Sequence, residues 1–246
     1  MRRIKLVVAY DGTNYCGWQV QPNGPSIQST LQAAIEDLVG EKIMLTGASR
    51  TDSGVHALGQ VAVFDTTKEN IADWKFAMAI NQRLPGDIVV QESVDVPLEF
   101  HPRYCDTIKT YKYKILNRRF ALPNERLDSY FVPRKIDLEA MLDASKVLIG
   151  KHDFHNFCSV KTDVENTERT IFSLNFTREE DMITMTITGD GFLYNMVRII
   201  TGALLKVGYG QKTKEELVCA LESKDRLLAG PTAPARGLTL VEIKYL

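Results

Sequence analysis

The 246-residue chain carries only four cysteines, Cys16, Cys105, Cys158 and Cys219, far apart and without a C-x-x-C pair. That pattern suggests neither a zinc site nor a disulfide framework, and the thiols read as small buried hydrophobes. No apolar run approaches the ~18 residues needed to span a bilayer. The stretch after Met1-Arg2-Arg3 meets Asp11 too soon to form a signal-peptide core, so a cytoplasmic location is expected, with no membrane partner. An excess of one charge is missing too: 30 Lys and Arg against 31 Asp and Glu leave a net charge of -1, which removes the simplest electrostatic argument for nucleic acid. Low-complexity segments and long linkers are absent. What is present is an ordinary globular composition, 44% hydrophobic and 25% charged with 16 Gly and 9 Pro, in a chain long enough for one large domain or two of usual size.

Periodicity gives the organisation. A strand is predicted at Ile4 to Tyr10, and a helix at Ser26 to Val39, capped by Ser26 and ended by Gly40. In that helix Ile27, Leu31, Ala34, Ile35 and Leu38 fall at the three-or-four spacing of a buried stripe. Strands at Lys42 to Thr46 and Leu58 to Asp65, a helix from Asp73 to Arg83 and a strand at Ile88 to Val96 complete a βαββαβ order. The order repeats with a strand at Thr107 to Leu116, a helix at Asp137 to Ile149, strands at Arg169 to Thr177 and Met182 to Thr188, a helix at Phe192 to Val207, an extra helix at Lys214 to Glu222 and a strand at Leu238 to Tyr245. The expected class is α+β: two ferredoxin-like halves, residues 1–103 and 104–246, whose antiparallel sheets flank a central cleft.

Local charge departs from the average. Nine basic residues against three acidic ones lie between Arg103 and Lys135, a bias that fits either a polyanion partner or a solvated strand face. Two other segments imitate sites. Gly189-Asp190-Gly191 precedes a helix but lacks the Lys of a phosphate loop, and reads as a turn. His152-Asp153-Phe154-His155 lacks zinc-ligand spacing and reads as a structural turn, so no metal is expected.

The most informative stretch is Gly47-Ala48-Ser49-Arg50-Thr51-Asp52-Ser53-Gly54-Val55-His56-Ala57, which joins two predicted strands and is more polar than a turn requires. Its Arg-Thr-Asp-Ser-Gly-Val-His-Ala core resembles the catalytic motif of the TruA-type tRNA pseudouridine synthases. So do Tyr10-Asp11-Gly12 with Gly17-Trp18-Gln19, Phe100-His101-Pro102-Arg103 with Lys109-Thr110-Tyr111-Lys112-Tyr113, Gly191-Phe192-Leu193-Tyr194-Asn195-Met196-Val197-Arg198, and Ala233-Pro234-Ala235-Arg236-Gly237-Leu238. The likeness runs from end to end. Ser49, where many members carry Gly, and Pro102, where many carry Ala, depart from the pattern beside reacting groups rather than at them.

The resemblance implies the pseudouridine synthase fold and isomerisation of uridine to pseudouridine in the tRNA anticodon stem-loop, at positions 38 to 40, by a homodimer without cofactor or metal. That reaction breaks the ribose bond to N1, turns the base and rejoins it through C5. An ionised Asp52 starts it as nucleophile or as base, and both routes stay open. Burial alone would protonate such a carboxylate. Resemblance supplies Arg198, reaching across the cleft, as the opposing cation, in a helix otherwise apolar nearly all round. It makes Tyr111 the ring that stacks on the flipped base, and Arg50 the assistant in flipping. Thr51, His56, Gln19, Arg103 and Lys109 become candidates for substrate contacts. Two competing readings are a noncatalytic RNA-binding protein with RRM-like halves, which would need stacking aromatics that the predicted strands do not carry as an RNP signature, and a nucleoside hydrolase, which would release free base.

Overall fold

The computed structural model describes residues 1–159, 166–223 and 225–246. The chain divides into two compact units, one of residues 1–106 with 239–246, the other of residues 107–238.

The first unit begins with β1 (Arg2–Tyr10), in which Ile4, Leu6, Val8 and Tyr10 alternate inward as period two requires. Helix α1 (Ile27–Val39) starts at Ser26, whose side chain accepts the Ser29 N–H in a capping box, and stops at Gly40, which turns left-handed at φ 66°. There follow β2 (Thr46–Gly47), β3 (His56–Thr66), α2 (Lys75–Asn81) and β4 (Ile88–Val96). Strand β1 pairs antiparallel with both β3 and β4, and β2 pairs antiparallel with β3. The helices bury Leu31, Ile35, Phe76 and Ile80, and Phe64 meets Phe76 edge-on at 5.7 Å. Each such side chain, fully buried, contributes about 1.5–3 kcal/mol of transfer free energy.

The second unit contains β5 (Thr107–Asn117), β6 (Tyr130–Val132), α3 (Leu138–Ser145), β7 (Gly150–Asp153), β8 (Glu168–Glu179), β9 (Met182–Gly189), α4 (Met196–Gly208), α5 (Lys214–Glu222) and the short α6 (Arg226–Ala229). Its sheet runs β5-β9-β8-β7 with every neighbour antiparallel, and β6 adds to β5 in parallel. Helix α4 buries eleven of its thirteen residues, as its nearly unbroken apolar sequence demands. Gly202 has no room for a Cβ, which would sit 1.9 Å from the Pro231 carbonyl oxygen. The absent side chain therefore lets the 231–233 segment lie directly on the helix.

The last strand, β10 (Leu238–Tyr245), differs in allegiance from the sequence expectation. It pairs in parallel with β3, Thr239 opposite His56 and Leu240 opposite Ala57. Its Tyr245 meets Phe100 edge-on at 5.0 Å and donates to the Pro102 carbonyl at 2.9 Å. By compactness the two units divide after Asp106, and β10 groups with the first unit. Three local expectations also change. Lys42 to Leu45 alternates outward and inward as a strand would, yet ladder pairing covers only Thr46 and Gly47. The helix expected at Asp137 to Ile149 ends at Ser145, passes through a 3-10 turn at Lys146–Leu148, and yields to β7 at Gly150, φ 106°. The helix expected from Phe192 begins at Met196, because Asn195 stands left-handed at φ 62° before it.

Candidate active site

The Asp52 loop, residues 48–55, leaves β2 and returns into β3. Ala48 N–H bonds to the Val61 carbonyl at 2.8 Å, prolonging the β2–β3 ladder by one residue. The ladder then stops, and side chains take over. The Gln60 amide donates to the Ser49 carbonyl at 2.7 Å while its oxygen accepts the Ser49 N–H at 3.2 Å. The Tyr10 hydroxyl bonds the Thr51 hydroxyl at 2.8 Å, and the Ser53 hydroxyl donates to the Tyr15 carbonyl at 3.1 Å. Val55 N–H closes the turn on the Asp52 carbonyl at 3.1 Å, with Gly54 at φ 76°. Asp52 itself is half-buried.

A second loop, residues 11–25, presses on the first. Trp18 N–H donates to the Thr51 carbonyl at 3.0 Å, and the buried indole fills the space where a Gly47 Cβ would be, 2.4 Å from its nitrogen. Gly17, at φ 95°, brings its α-carbon so near that a Cβ would lie 2.6 Å from the Thr51 oxygen. The loop is tied down in turn, since Ile27 N–H and Gln28 N–H at the start of α1 bond to the Gly17 and Trp18 carbonyls at 3.1 and 2.9 Å. The Asp52 backbone is thus fixed by groups from β1, β3 and the 11–25 loop before any substrate arrives.

His56, buried at the start of β3, receives the Gly12 N–H on Nδ1 at 3.2 Å and lies 3.1 Å from the Asp11 carboxylate. One nitrogen cannot accept from Gly12 and donate to Asp11 at once, so the tautomer decides which contact is a bond. For Asp11, burial acts to raise the carboxyl, but the Thr13 hydroxyl and N–H together with His56 outweigh it and hold it below the usual carboxylate range. His56 is therefore a buried brace for the 11–13 turn rather than an exposed contact. Thr51 is buried likewise. Gln19, Arg50 and Arg103 are exposed and line one shallow depression with Trp18 and Met44, where Arg103 Nη2 donates to the Gly47 carbonyl at 3.3 Å.

In the second unit Tyr111 sits on β5 opposite Ile187 of β9, only 7% exposed, with the Phe192 ring edge-on at 5.3 Å. That perpendicular contact holds the phenol ring upright. Tyr113, two residues on, is core: its hydroxyl donates to the Pro234 carbonyl at 2.7 Å, and burial pushes its phenol up, only partly opposed by Arg198 and Arg236. Arg198 lies half-buried on α4, where Nε donates to the Ala233 carbonyl at 2.8 Å and Nη1 to the Asn195 side-chain oxygen at 2.7 Å. Asn195 is oriented by its own bond to Ser159 at 2.8 Å. Lys109 lies on β5 opposite Gly189 and is half-buried.

Much of the basic bias is used locally. Lys114 pairs with Asp128 at 2.7 Å, Arg118 with Asp181 at 3.3 Å, and Arg134 packs over Tyr209 at 4.8 Å. The two imitative segments are turns or strand ends. The Thr170 backbone bonds Asp190 twice, and His155 N–H bonds the Asp153 carboxylate at 3.0 Å. Among the described residues no cluster of three His, Cys, Asp or Glu could hold a metal ion, and no helix is long and apolar enough to cross a membrane. Gln60, Tyr10 and Asn195 escaped the sequence reading as site residues, although an amide within the apolar run of β3 was a visible signal.

The chain is α+β with mostly antiparallel sheets, and it carries a braced Arg-Thr-Asp loop in its first unit and a half-buried arginine and a buried strand tyrosine in its second. The family model for tRNA pseudouridine synthase matches residues 6–105 and 144–246, and the chain belongs to that family. Its members are isomerases that convert uridine to pseudouridine in tRNA, so the noncatalytic RNA-binding reading is not favoured. The chain is similar to the tRNA pseudouridine synthase A of Acetivibrio thermocellus, 47% identical over 245 residues and 100% of both chains, and to the tRNA pseudouridine synthase A 2 of Clostridium tetani, 48% identical over 99% of both. A third relative, the tRNA pseudouridine synthase A of Caldicellulosiruptor bescii, is 44% identical over 100% of both chains.

Proposed function

We propose that this chain acts on uridines of the tRNA anticodon stem-loop, positions 38 to 40, with Asp52 as the carboxylate that starts the reaction, as nucleophile or base. The observation that carries the reading is the Asp52 loop: four hydrogen bonds hold it, two on the Ser49 backbone and one each through the Thr51 and Ser53 side chains, a degree of ordering that a connecting turn does not need. Flipping a base from a stem costs a few kcal/mol. Tyr111, its ring fixed by Phe192, is the stacking partner, and Arg50, exposed two residues before Asp52, assists the flip. Arg198, whose Nε and Nη1 are already oriented by Ala233 and Asn195, is the cation that keeps the reacting carboxylate ionised. Gln19, Arg103 and Lys109 contact the RNA backbone, while Thr51 in the loop and His56 at the start of β3 support substrate binding from buried positions. The enzyme works in the cytoplasm as a homodimer, since one small unit would hardly cover an anticodon arm, and needs neither cofactor nor metal.

Mapping pseudouridine in total tRNA from cells with and without the gene tests the substrate assignment. Loss confined to the anticodon arm is expected, and loss confined to another arm, or none, would overturn it. Sedimentation at micromolar concentration tests the dimer, which a fully active monomer would contradict.

A further inference from the structure

The Gln60 side chain is 0% exposed, in a run of β3 whose next four residues, Val61 to Phe64, are apolar and buried. A buried amide is costly unless its donors and acceptor are all used, and an aliphatic residue would fill the same volume without that cost. The pairing register explains the choice. Thr46 lies opposite Val63, Gly47 opposite Ala62, and Ala48 bonds to Val61. Continued one residue, this register sets Ser49 opposite Gln60 at a position where, because Ala48 and Val61 are the bonding pair, the two backbones make no bonds to each other, so the ladder offers the Ser49 N–H and C=O no partner on β3. Instead the Gln60 side chain takes both Ser49 groups, donating to its carbonyl at 2.7 Å and accepting its N–H at 3.2 Å. The amide acts as a spacer that ends the ladder at a fixed separation and sends residues 50–53 away from the sheet in one defined direction.

A second grip comes from β1. Its register against β3 slips between Val8, opposite Gln60, and Tyr10, opposite Ala57. Such a bulge re-aims the side chain beyond it, and here that side chain is Tyr10, whose hydroxyl meets Thr51 Oγ1 at 2.8 Å. Gln60 thus holds the loop three residues before Asp52, and Tyr10 holds it one residue before.

We propose that Gln60 and Tyr10 are positioning residues for Asp52, fixing the direction in which its carboxylate leaves the sheet without touching the substrate. The inference rests on the assignment of Asp52 as the reacting carboxylate. Misplacement of a reacting group by a fraction of an ångström lowers the rate of the chemical step while leaving substrate binding largely intact.

The test is single-turnover pseudouridine formation on tRNA by the full chain, with tRNA affinity and thermal melting measured beside it, in Gln60→Met, Gln60→Glu, Tyr10→Phe and Asp52→Asn. Gln60→Met is expected to lower the rate about tenfold or more, and Tyr10→Phe several-fold, with affinity within about twofold of wild type. Gln60→Glu supplies a signature that loss of packing would not produce. Its carboxyl can replace the lost donor only when protonated, and burial favours that form. The ratio of variant to wild-type rate should therefore rise as pH falls from about 8 to about 6. If Gln60→Met fails to fold, the other two variants decide. Tyr10→Phe within twofold of wild type, together with a Gln60→Glu ratio that is near one or flat with pH, would overturn the proposal. Asp52→Asn separates the levels: if it stays active the assignment of Asp52 fails, whereas an inactive Asp52→Asn beside fully active positioning variants refutes only the positioning roles.

Discussion

Replacing Gly17 by alanine probes the packing of the two loops against each other. Gly17 stands at φ 95°, and an added Cβ would lie 2.6 Å from the Thr51 carbonyl oxygen, a backbone atom that cannot swing aside. The left-handed backbone costs about 1–2 kcal/mol for an L side chain. Overpacking against fixed atoms adds about 1–3 kcal/mol, and strain or loss of the 3.0 Å Trp18 N–H to Thr51 bond adds about 1 kcal/mol. A destabilisation of about 4 kcal/mol is expected in total. Gly40→Ala is the matched control: Gly40 is also left-handed, at φ 66°, but nothing lies within 4 Å of its added Cβ. It should cost only the backbone share, about 1–2 kcal/mol, and leave turnover unchanged. Both tryptophans, Trp18 and Trp74, belong to the first unit, so denaturant unfolding followed by tryptophan fluorescence reports that unit alone. Equal midpoints for the two variants, or a Gly17→Ala protein with wild-type turnover, would refute the claim that this contact holds the Asp52 loop.

Three further outcomes follow from named contacts. Tyr113→Phe removes the donor to the Pro234 carbonyl at 2.7 Å and should lower the stability of the second unit by about 1–3 kcal/mol, read as faster amide exchange within residues 107–238; unchanged exchange would contradict it. Asp11 has a lowered pKa in the folded state, so its stabilisation is present above the unfolded value of about 3.9 and is lost as pH falls through the lower folded value. Asp11→Asn should therefore be less stable than wild type near pH 6, with the gap closing as pH falls below the unfolded value of about 3.9, and a gap constant with pH would contradict the assignment. Lys112→Glu, exposed on the opposite face of β5 from Tyr111 and Tyr113, should weaken tRNA binding and shallow its salt dependence by about one phosphate contact or more; an unchanged slope would make that face solvent-facing only.

What the sequence disclosed was governed by where local rules and tertiary contacts agree. Helices α1 and α5 carry their own caps, Ser26 with Gly40 and Thr213 with Glu216, and β4 is bounded by Pro85-Gly86 and Pro97, so their limits are local information. Ladder partners are not. Lys42 to Leu45 alternates like a strand without pairing as one, and β6 and β7 exist because β5 and β8 offer them edges. The return of β10 to the first unit likewise depends on β3 and Tyr245 contacts that no window of sequence contains. At the site, the Asp52 motif was legible because its residue types are dense and specific. The supports were harder to see: Tyr10 reads as a core strand residue and Gln60 as an interruption until the register places them against Thr51 and Ser49.

If one carboxylate, Asp52, carries the isomerisation, removing its charge abolishes the reaction. Asp52→Asn keeps the size and much of the hydrogen bonding but removes the charge, and single-turnover tritium release from uridine-labelled tRNA measures the consequence directly. No detectable pseudouridine is expected, with an unchanged melt and tRNA affinity within roughly tenfold of wild type, about 1.4 kcal/mol. A folded Asp52→Asn protein that retained more than about a tenth of wild-type turnover, a loss of only about 1.4 kcal/mol in the barrier, would contradict that role of Asp52.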